Sequence, residues 1–247
     1  MNRFYAVGDI HGDYDKLIDI HARIARDAGA GGDPKIIFIG DLVDRRFKSG
    51  ETLQFLIDNI AAGRPWTVVL GNHDRLFARF LDDVNWRDPV LRADYHWLHA
   101  NMGGVTTLAS YGVDVSSDRT LQDLQNDARA KVPADHHIFL KNLPDYHREP
   151  GLLFVHAGIR PGVPLSEQTQ DDMIWIRKPF HDYAGSHGDL VIHGHSVIDR
   201  VTHYGNRVNI DTGAAYGHDL SAIVIEGADI YVLEKDGRRK LTPDTGR

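Results

Sequence analysis

The chain has 247 residues, 42% hydrophobic and 26% charged, with a net charge of −7 when histidine is neutral. That length suits one α/β domain or a domain carrying an insertion, and the acidic balance argues against an extended nucleic-acid surface. Cysteine is absent, which removes disulfides and thiolate metal sites, and no apolar run reaches the ~18 residues of a transmembrane helix; with an N-terminus that enters a strand directly, a cytoplasmic location is expected.

Residues 4–7 read as a buried strand ending in Gly8-Asp9-Ile10-His11-Gly12. From 13 to 28, Leu17, Ile18, Ile20, Ile24 and Ala28 fall on one helical face, with Asp13 or Asp15 as the cap. The glycine-rich stretch 29–34 is a loop by composition. A second strand, 35–39, ends in Gly40-Asp41-Leu42-Val43-Asp44-Arg45-Arg46, so two carboxylates and two guanidiniums leave a strand end together. A helix over 49–62 turns Leu53, Leu56, Ile57 and Ile60 inward and stops at Gly63; a third strand, 66–70, ends in Gly71-Asn72-His73-Asp74. Residues 1–83 thus read β-α-β-α-β-α, which implies a parallel sheet with right-handed crossovers.

Residues 84–135 break that rhythm. With Trp86, Trp97, Gly103-Gly104 and a polar run from 116 to 129, they are expected to form a mostly helical insertion over the site, inside one domain spanning 1–247. Strands resume at 152–155, ending in His156-Ala157-Gly158, at an edge over 173–176, and at 190–192, ending in His193-Gly194-His195. The last third is hairpin-like, with strands at 200–203, 207–210, 221–226 and 229–234 and a turn at Gly227-Ala228; the polar tail from Thr242 is expected to fray.

Asp9, His11, Asp41, Asn72, His73, His156 and His195 all sit at ends of apolar strands, the edge where open α/β sheets place ligands. Their oxygen and nitrogen donors suit Mn²⁺, Fe or Zn²⁺. That many donors exceed what one open catalytic ion needs, and a two-metal centre about 3.5–4 Å across would use six of them. A lone histidine at a strand end is more often a hydrogen-bonded structural residue; it is the set of five blocks that points to metal.

Those blocks, Gly8-Asp9-Ile10-His11-Gly12, Gly40-Asp41-Leu42-Val43-Asp44-Arg45, Gly71-Asn72-His73-Asp74, His156-Ala157-Gly158 and Gly194-His195, resemble the ordered signature of the calcineurin-like metallophosphoesterases. More narrowly they resemble the phosphoprotein phosphatases, in the small bacterial and bacteriophage-lambda-type branch. The resemblance implies a sandwich of two mixed β-sheets flanked by helices. It implies that Asp9 and His11 bind one divalent ion, Asn72, His156 and His195 a second, and that Asp41 bridges them, with Mn²⁺ the first choice. His73 would be the general acid, oriented by Asp44, and Arg45, Arg177 and Asn72 would contact the phosphoryl group. Elementary chemistry agrees: a departing alkoxide needs a proton, and the planar guanidinium fork matches phosphoryl oxygens.

The sequence departs from the family at Arg46, where Gly is common, and at Asp74, where many members have Glu; neither is a metal ligand. Position 197 is Val where wider relatives have a second His, so His195 alone is the matched ligand and His193 lies outside the set. His136, His137, His181, His187 and His218 match no block, and Trp86 and Trp97 are read as packing residues. The implied function is hydrolysis of phosphomonoesters by a hydroxide that two metals activate, the substrate being a protein phosphorylated on Ser/Thr, or on Tyr, or a small phosphomonoester, with no nucleic-acid or membrane partner. The alternative is symmetrical dinucleoside-tetraphosphate hydrolysis, and a third reading is a catalytically silent phosphate- or nucleotide-sensing module. The few basic residues of the insertion, Arg87, Arg92, Arg119, Arg129 and Lys131, set the monoester reading ahead of the dinucleotide one, because a polyphosphate chain favours a denser cationic wall. The oligomeric state is left open.

Overall fold

A computed structural model describes residues 3–30, 32–92 and 94–244. β1 (Arg3–Val7), β2 (Lys35–Phe38) and β3 (Trp66–Val68) pair in parallel, with α1 (Tyr14–Ala28) and α2 (Ser49–Ala61) as the intervening crossovers and α3 (Asn72–Asp82) following directly. After α3 come α4 (Gly104–Ser110), α5 (Leu121–Lys131) and α6 (Ala134–Lys141). β4 (Tyr146–Glu149) and β5 (Leu152–Val155) precede α7 (Gln170–Trp175) and α8 (Lys178–His181). β6 (Leu190–His193), β7 (Thr202–His203), β8 (Arg207–Asn209), β9 (Ala222–Glu226), β10 (Asp229–Glu234) and β11 (Gly237–Leu241) complete the chain. The order β11-β10-β9-β1-β2-β3 makes one mixed sheet and β4-β5-β6-β8-β7 the other. The chain is therefore the expected sandwich of two mixed sheets flanked by helices. No helix among the described residues is long and apolar enough to cross a membrane.

Three apolar layers explain why the inner strands read as continuous hydrophobic runs rather than alternating ones: both of their faces are covered. Phe4, Ala6, Ile37, Ile39, Phe154, Ile192, Val208 and Ile223 fill the space between the sheets. On the opposite face of the first sheet, Tyr5, Val7, Ile36 and Phe38 pack against Leu17, Ile20, Ile24, Leu53 and Leu56 of the helices. Behind the second sheet, Leu153, Val155 and Val191 meet Met173, Ile174 and Phe180. Buried on both sides, β1, β2, β5 and β6 hold their carboxyl ends, and the loops that follow, in one fixed frame.

Several expectations are corrected. Residues 173–176 do not form a strand; α7 covers Gln170–Trp175, its first turn capped by Thr169 Oγ1, which accepts from Asp172 N at 3.1 Å. A four-residue apolar run does not distinguish strand from helix, and the cap decides it. Ile18 points outward at 37% exposure, leaving Leu17, Ile20 and Ile24 as the buried stripe of α1, and Ile57 and Ile60 are only half-buried. Segment 84–135 is helical only in α4, α5 and the first residues of α6; its described residues from 84 to 103 run in turns. Two strands have no apolar signal at all: β4 and β11 carry His147-Arg148-Glu149 and Arg238-Arg239-Lys240, and both lie at sheet edges, where charge blocks pairing with another chain. Asp244 N donates to His203 O at 2.7 Å, so the tail is tied at that point; residues 245–247, also expected to fray, lie outside the described residues.

Candidate metal centre

The loops after β1 and β2 are laced together through backbone. Ile10 N and His11 N both donate to Asp41 O, at 3.0 and 2.8 Å, and Gly12 N donates to Leu42 O at 2.8 Å. This lacing holds an unusual conformation. Among the described residues, the non-glycines with positive φ are His11 (51°), Asp41 (50°), Asp44 (75°), Arg45 (71°) and His195 (64°), every one a residue singled out from the sequence. Such backbone costs about 1–3 kcal/mol per residue and persists only where the surroundings over-determine it, as at functional sites.

The third loop is the start of α3. His73 N donates to Asp41 Oδ1 at 3.0 Å, so the positive end of the helix faces that carboxylate. Asp74 clamps two loops at once: Oδ1 accepts from Leu42 N at 2.9 Å and Oδ2 from Gly71 N at 3.0 Å. Glycine is required at 71 because a Cβ there would overlap Asp41 N and Oδ1, and at 194 because a Cβ would overlap Asp9 Oδ1.

Two clusters of ligand atoms result, each within 4.8 Å: His11, Asp41 and His73, and Asp41, His156 and His195. Asp41 belongs to both. Asn72 Oδ1 lies 3.0 Å from His156 Nε2 and 2.9 Å from His195 Nδ1, so it joins the second cluster. The ring nitrogens that face away are anchored: His11 Nδ1 bonds to Val43 O at 3.0 Å and His156 Nδ1 to Ile39 O at 2.8 Å, which leaves each Nε2 as a ligand atom. Asp9 Oδ2 accepts from His195 N at 3.1 Å, while Asp9 Oδ1 and His195 Nε2 are buried without a hydrogen-bond partner among the described residues. Orphaned buried acceptors beside a shared carboxylate, in an oxygen and nitrogen set, fit divalent cations.

Electrostatics points the same way. Burial raises Asp9 well above the usual carboxylate range, with the negative charges of Asp211 and Asp41 adding to it. Burial also opposes charge on Asp41, but the imidazoles of His156, His73 and His11 outweigh it and hold that carboxyl well below its usual range. Burial works against the His156 imidazolium in turn, yet Asp41, its Oδ1 at 3.4 Å, and Asp9 push it up to about 10. Packed anions with no cation other than imidazolium and guanidinium make a site that favours divalent charge.

His73 also stands in the first cluster, but its Nδ1 is held by Asp44 Oδ2 at 2.6 Å, so only Nε2 faces the site. Asp44 is fully enclosed. Its Oδ2 accepts from Trp97 Nε1 at 2.8 Å and its Oδ1 from Thr107 Oγ1 at 2.7 Å, while Asp44 N is 2.9 Å from Thr107 Oγ1. Burial pushes Asp44 up to about 8 and His73 down to about 3, so between these values the pair holds a single proton. The donors from Thr107 and Trp97 favour the carboxylate and so oppose burial at Asp44, without reversing the upward shift.

Arg45 lies across both rings, Nη1 2.8 Å from His11 Nε2 and Nη2 3.1 Å from His73 Nε2. Arg177 is exposed, and its charge helps to lower His195, after burial and His156. His193 belongs to neither cluster; its Nε2 faces Arg207 Nη1 at 3.1 Å. The structure thus gathers five of the six expected ligands in the two clusters with His73, Asp44 and Arg45, sets Asp9 beside them through His195 N but in neither cluster, and leaves Arg177 exposed. The sequence reading missed Trp97, Thr107 and Asp211. Asp211 had a signal, since it lies two residues past the buried strand β8 just as Asp9 lies two past β1. Trp97 had none: it stacks on Phe77 at 5.1 Å, as a packing residue would, and its hydrogen bond is visible only in three dimensions.

The family described as Calcineurin-like phosphoesterase matches residues 2–199. A bis(5'-nucleosyl)-tetraphosphatase of the asymmetrical kind from Halalkalibacterium halodurans is 25% identical over 90% of this chain and 89% of its own length. A symmetrical bis(5'-nucleosyl)-tetraphosphatase from Methylobacillus flagellatus is 27% identical over 92% and 93%. The crystal structure of a putative diadenosine tetraphosphatase superposes with a TM-score of 0.63 at 20% identity, covering 98% of this chain and 95% of that one.

Proposed function

The chain belongs to the calcineurin-like phosphoesterases, and from that premise we propose that it hydrolyses dinucleoside polyphosphates. What carries this reading is that relatives aligned over 90% and 92% of the chain are both tetraphosphatases of dinucleosides, which favours the alternative reading of the sequence over the protein phosphatase one. Arg45 and Arg46 of the β2 loop and the exposed Arg177 add cations to the few of the insertion.

In this reading Asp9, His11 and Asp41 hold one divalent ion, Mn²⁺ by preference, and Asp41, Asn72, His156 and His195 hold the other. Such a pair supplies a water of lowered pKa and neutralises charge on the phosphoryl oxygens. The protein's own groups do the rest. Asp41, fixed by the start of α3, keeps the two sets in register. Arg45 takes the non-bridging oxygens of the phosphoryl group under attack, its fork leaving the two imidazoles for substrate, and Arg177 and Asn72 contact the same group from the other side. His73 carries a proton at Nε2 toward the departing oxygen, with Asp44, Trp97 and Thr107 fixing its ring.

That proton favours a second reading. A nucleotide leaving through a phosphoanhydride needs little protonation, whereas an alkoxide needs it fully, so the enclosed His73–Asp44 pair suits phosphomonoesters too. One Mn²⁺-loaded preparation tests both: kcat/KM for diadenosine tetraphosphate is expected to exceed that for a phosphoserine peptide, and the opposite ranking overturns the dinucleotide reading. Chromatography of the products, two ADP or ATP with AMP, assigns the anhydride that is cut.

A further inference from the structure

Beside the metal centre lies a rim that the chemistry above leaves unused. A short 3₁₀ turn, Ala214–Tyr216, is set between Gly213 (φ 78°) and Gly217 (φ 99°), and it presents the Tyr216 ring to solvent at 61% exposure. The turn is not loose. Gly213 N donates to Asp211 Oδ1 at 2.9 Å, Tyr216 N to Gly213 O at 2.9 Å, and Lys16 Nζ reaches from α1 to Ala214 O at 2.8 Å.

Its neighbours are those of a ligand. The guanidinium carbon of Arg45 lies 5.2 Å from the Tyr216 ring centre. Val197, itself 47% exposed, and Tyr216 converge on Gly213, where a Cβ would meet Val197 Cγ1 at 2.9 Å and Tyr216 Cδ2 at 3.5 Å. Arg46 Nη2 approaches the turn at Gly217, with only a long 3.8 Å contact from its Nε to Asp13. Nε of Arg45 and Nε of Arg46 are both buried without a hydrogen-bond partner among the described residues. An exposed aromatic ring therefore stands beside the Arg45 guanidinium, with that of Arg46 near the same turn, the pattern that receives a base and the phosphates attached to it.

We propose that Tyr216, backed by Val197, is the stacking platform for a nucleobase of the substrate, with Arg46 contacting the phosphoryl group next to the one that Arg45 holds. This rests on the dinucleotide reading of the site and adds the subsite that reads the nucleoside. Every base has a face to stack, so the platform takes purines by ring area rather than by hydrogen-bond code.

The test is binding of AMP and of inorganic phosphate to the Mn²⁺-loaded protein, measured by calorimetry on wild type, Tyr216→Ala and Tyr216→Phe. Stacking on an aromatic is lost on alanine substitution by about tenfold or more, so AMP is expected to bind about tenfold more tightly than phosphate to wild type and to Tyr216→Phe, and to lose that advantage in Tyr216→Ala. Equal affinities in wild type, or an advantage that survives in Tyr216→Ala, overturn the proposal. Turnover of diadenosine tetraphosphate is scored separately: if it fails while the Tyr216-dependent advantage persists, the dinucleotide reading falls and the base site stands; the converse result removes only the base site.

Discussion

Trp97 Nε1 donates at 2.8 Å to Asp44 Oδ2, the same oxygen that holds His73 Nδ1 at 2.6 Å. A residue of the segment between the third and fourth strand-end motifs is thereby joined to His73, the proposed proton donor, through a carboxyl group with no exposed surface. Trp97→Phe keeps the stack on Phe77 and removes only the donor. The loss of one hydrogen bond to the buried carboxyl group, about 1–2 kcal/mol, is expected to lower kcat on an alkyl phosphate about five- to thirtyfold, and p-nitrophenyl phosphate, which needs little protonation, less. Equal losses on the two substrates would mean that Trp97 is structural only.

Removing the proposed acid itself is the stronger perturbation. His73→Asn is expected to lower kcat on an alkyl phosphate by about 10²–10⁴-fold, with the two ions still bound on elemental analysis. Loss of an ion along with activity would instead make His73 a ligand, since it sits in the first cluster.

Asp41 is common to both clusters. Asp41→Asn should therefore leave less than one Mn²⁺ per chain after gel filtration, whereas His195→Ala should retain about one. Elemental analysis reads both; a full complement in Asp41→Asn would show that the carboxylate does not bridge.

Arg45 touches both imidazoles, and Arg46 stands outside them. Arg45→Ala is expected to cut kcat/KM on p-nitrophenyl phosphate on the order of 10³-fold, and Arg46→Ala far less. Small and equal losses in steady-state assays would place Arg45 outside the reacting group.

Away from the site, Asp27 ties β11 and β1 to α1: Arg238 Nε and Nη2 donate to its two oxygens at 2.6 and 2.7 Å, and Tyr5 OH donates at 2.7 Å. Burial opposes its charge, but these hydrogen bonds outweigh burial and hold the carboxyl below its usual range. A folded pKa below the unfolded one stabilises the fold above the unfolded pKa and is lost as pH falls through the folded one. Asp27→Asn is expected to cost about 1–2 kcal/mol at pH 7 in urea unfolding, with the gap to wild type narrowing below about pH 4. A gap independent of pH would locate the effect in packing.

The sequence by itself determined the first three strands with their crossover helices and, through the family it resembles, the two-sheet sandwich; it also marked the candidate ligands, because each follows a buried apolar run within one to four residues of chain. Local spacing carries such information intact. Tertiary structure alone decided what those residues touch. The edge strands β4 and β11 have no apolar face to announce them, and α7 owes its conformation to a cap and to the layer it covers. The shared position of Asp41, the enclosure of Asp44 by Trp97 and Thr107, and the approach of Tyr216 to Arg45 join residues separated by tens to well over a hundred positions. Contacts of that range depend on how two sheets and a partly helical insertion settle against one another, and no periodicity in the chain encodes that.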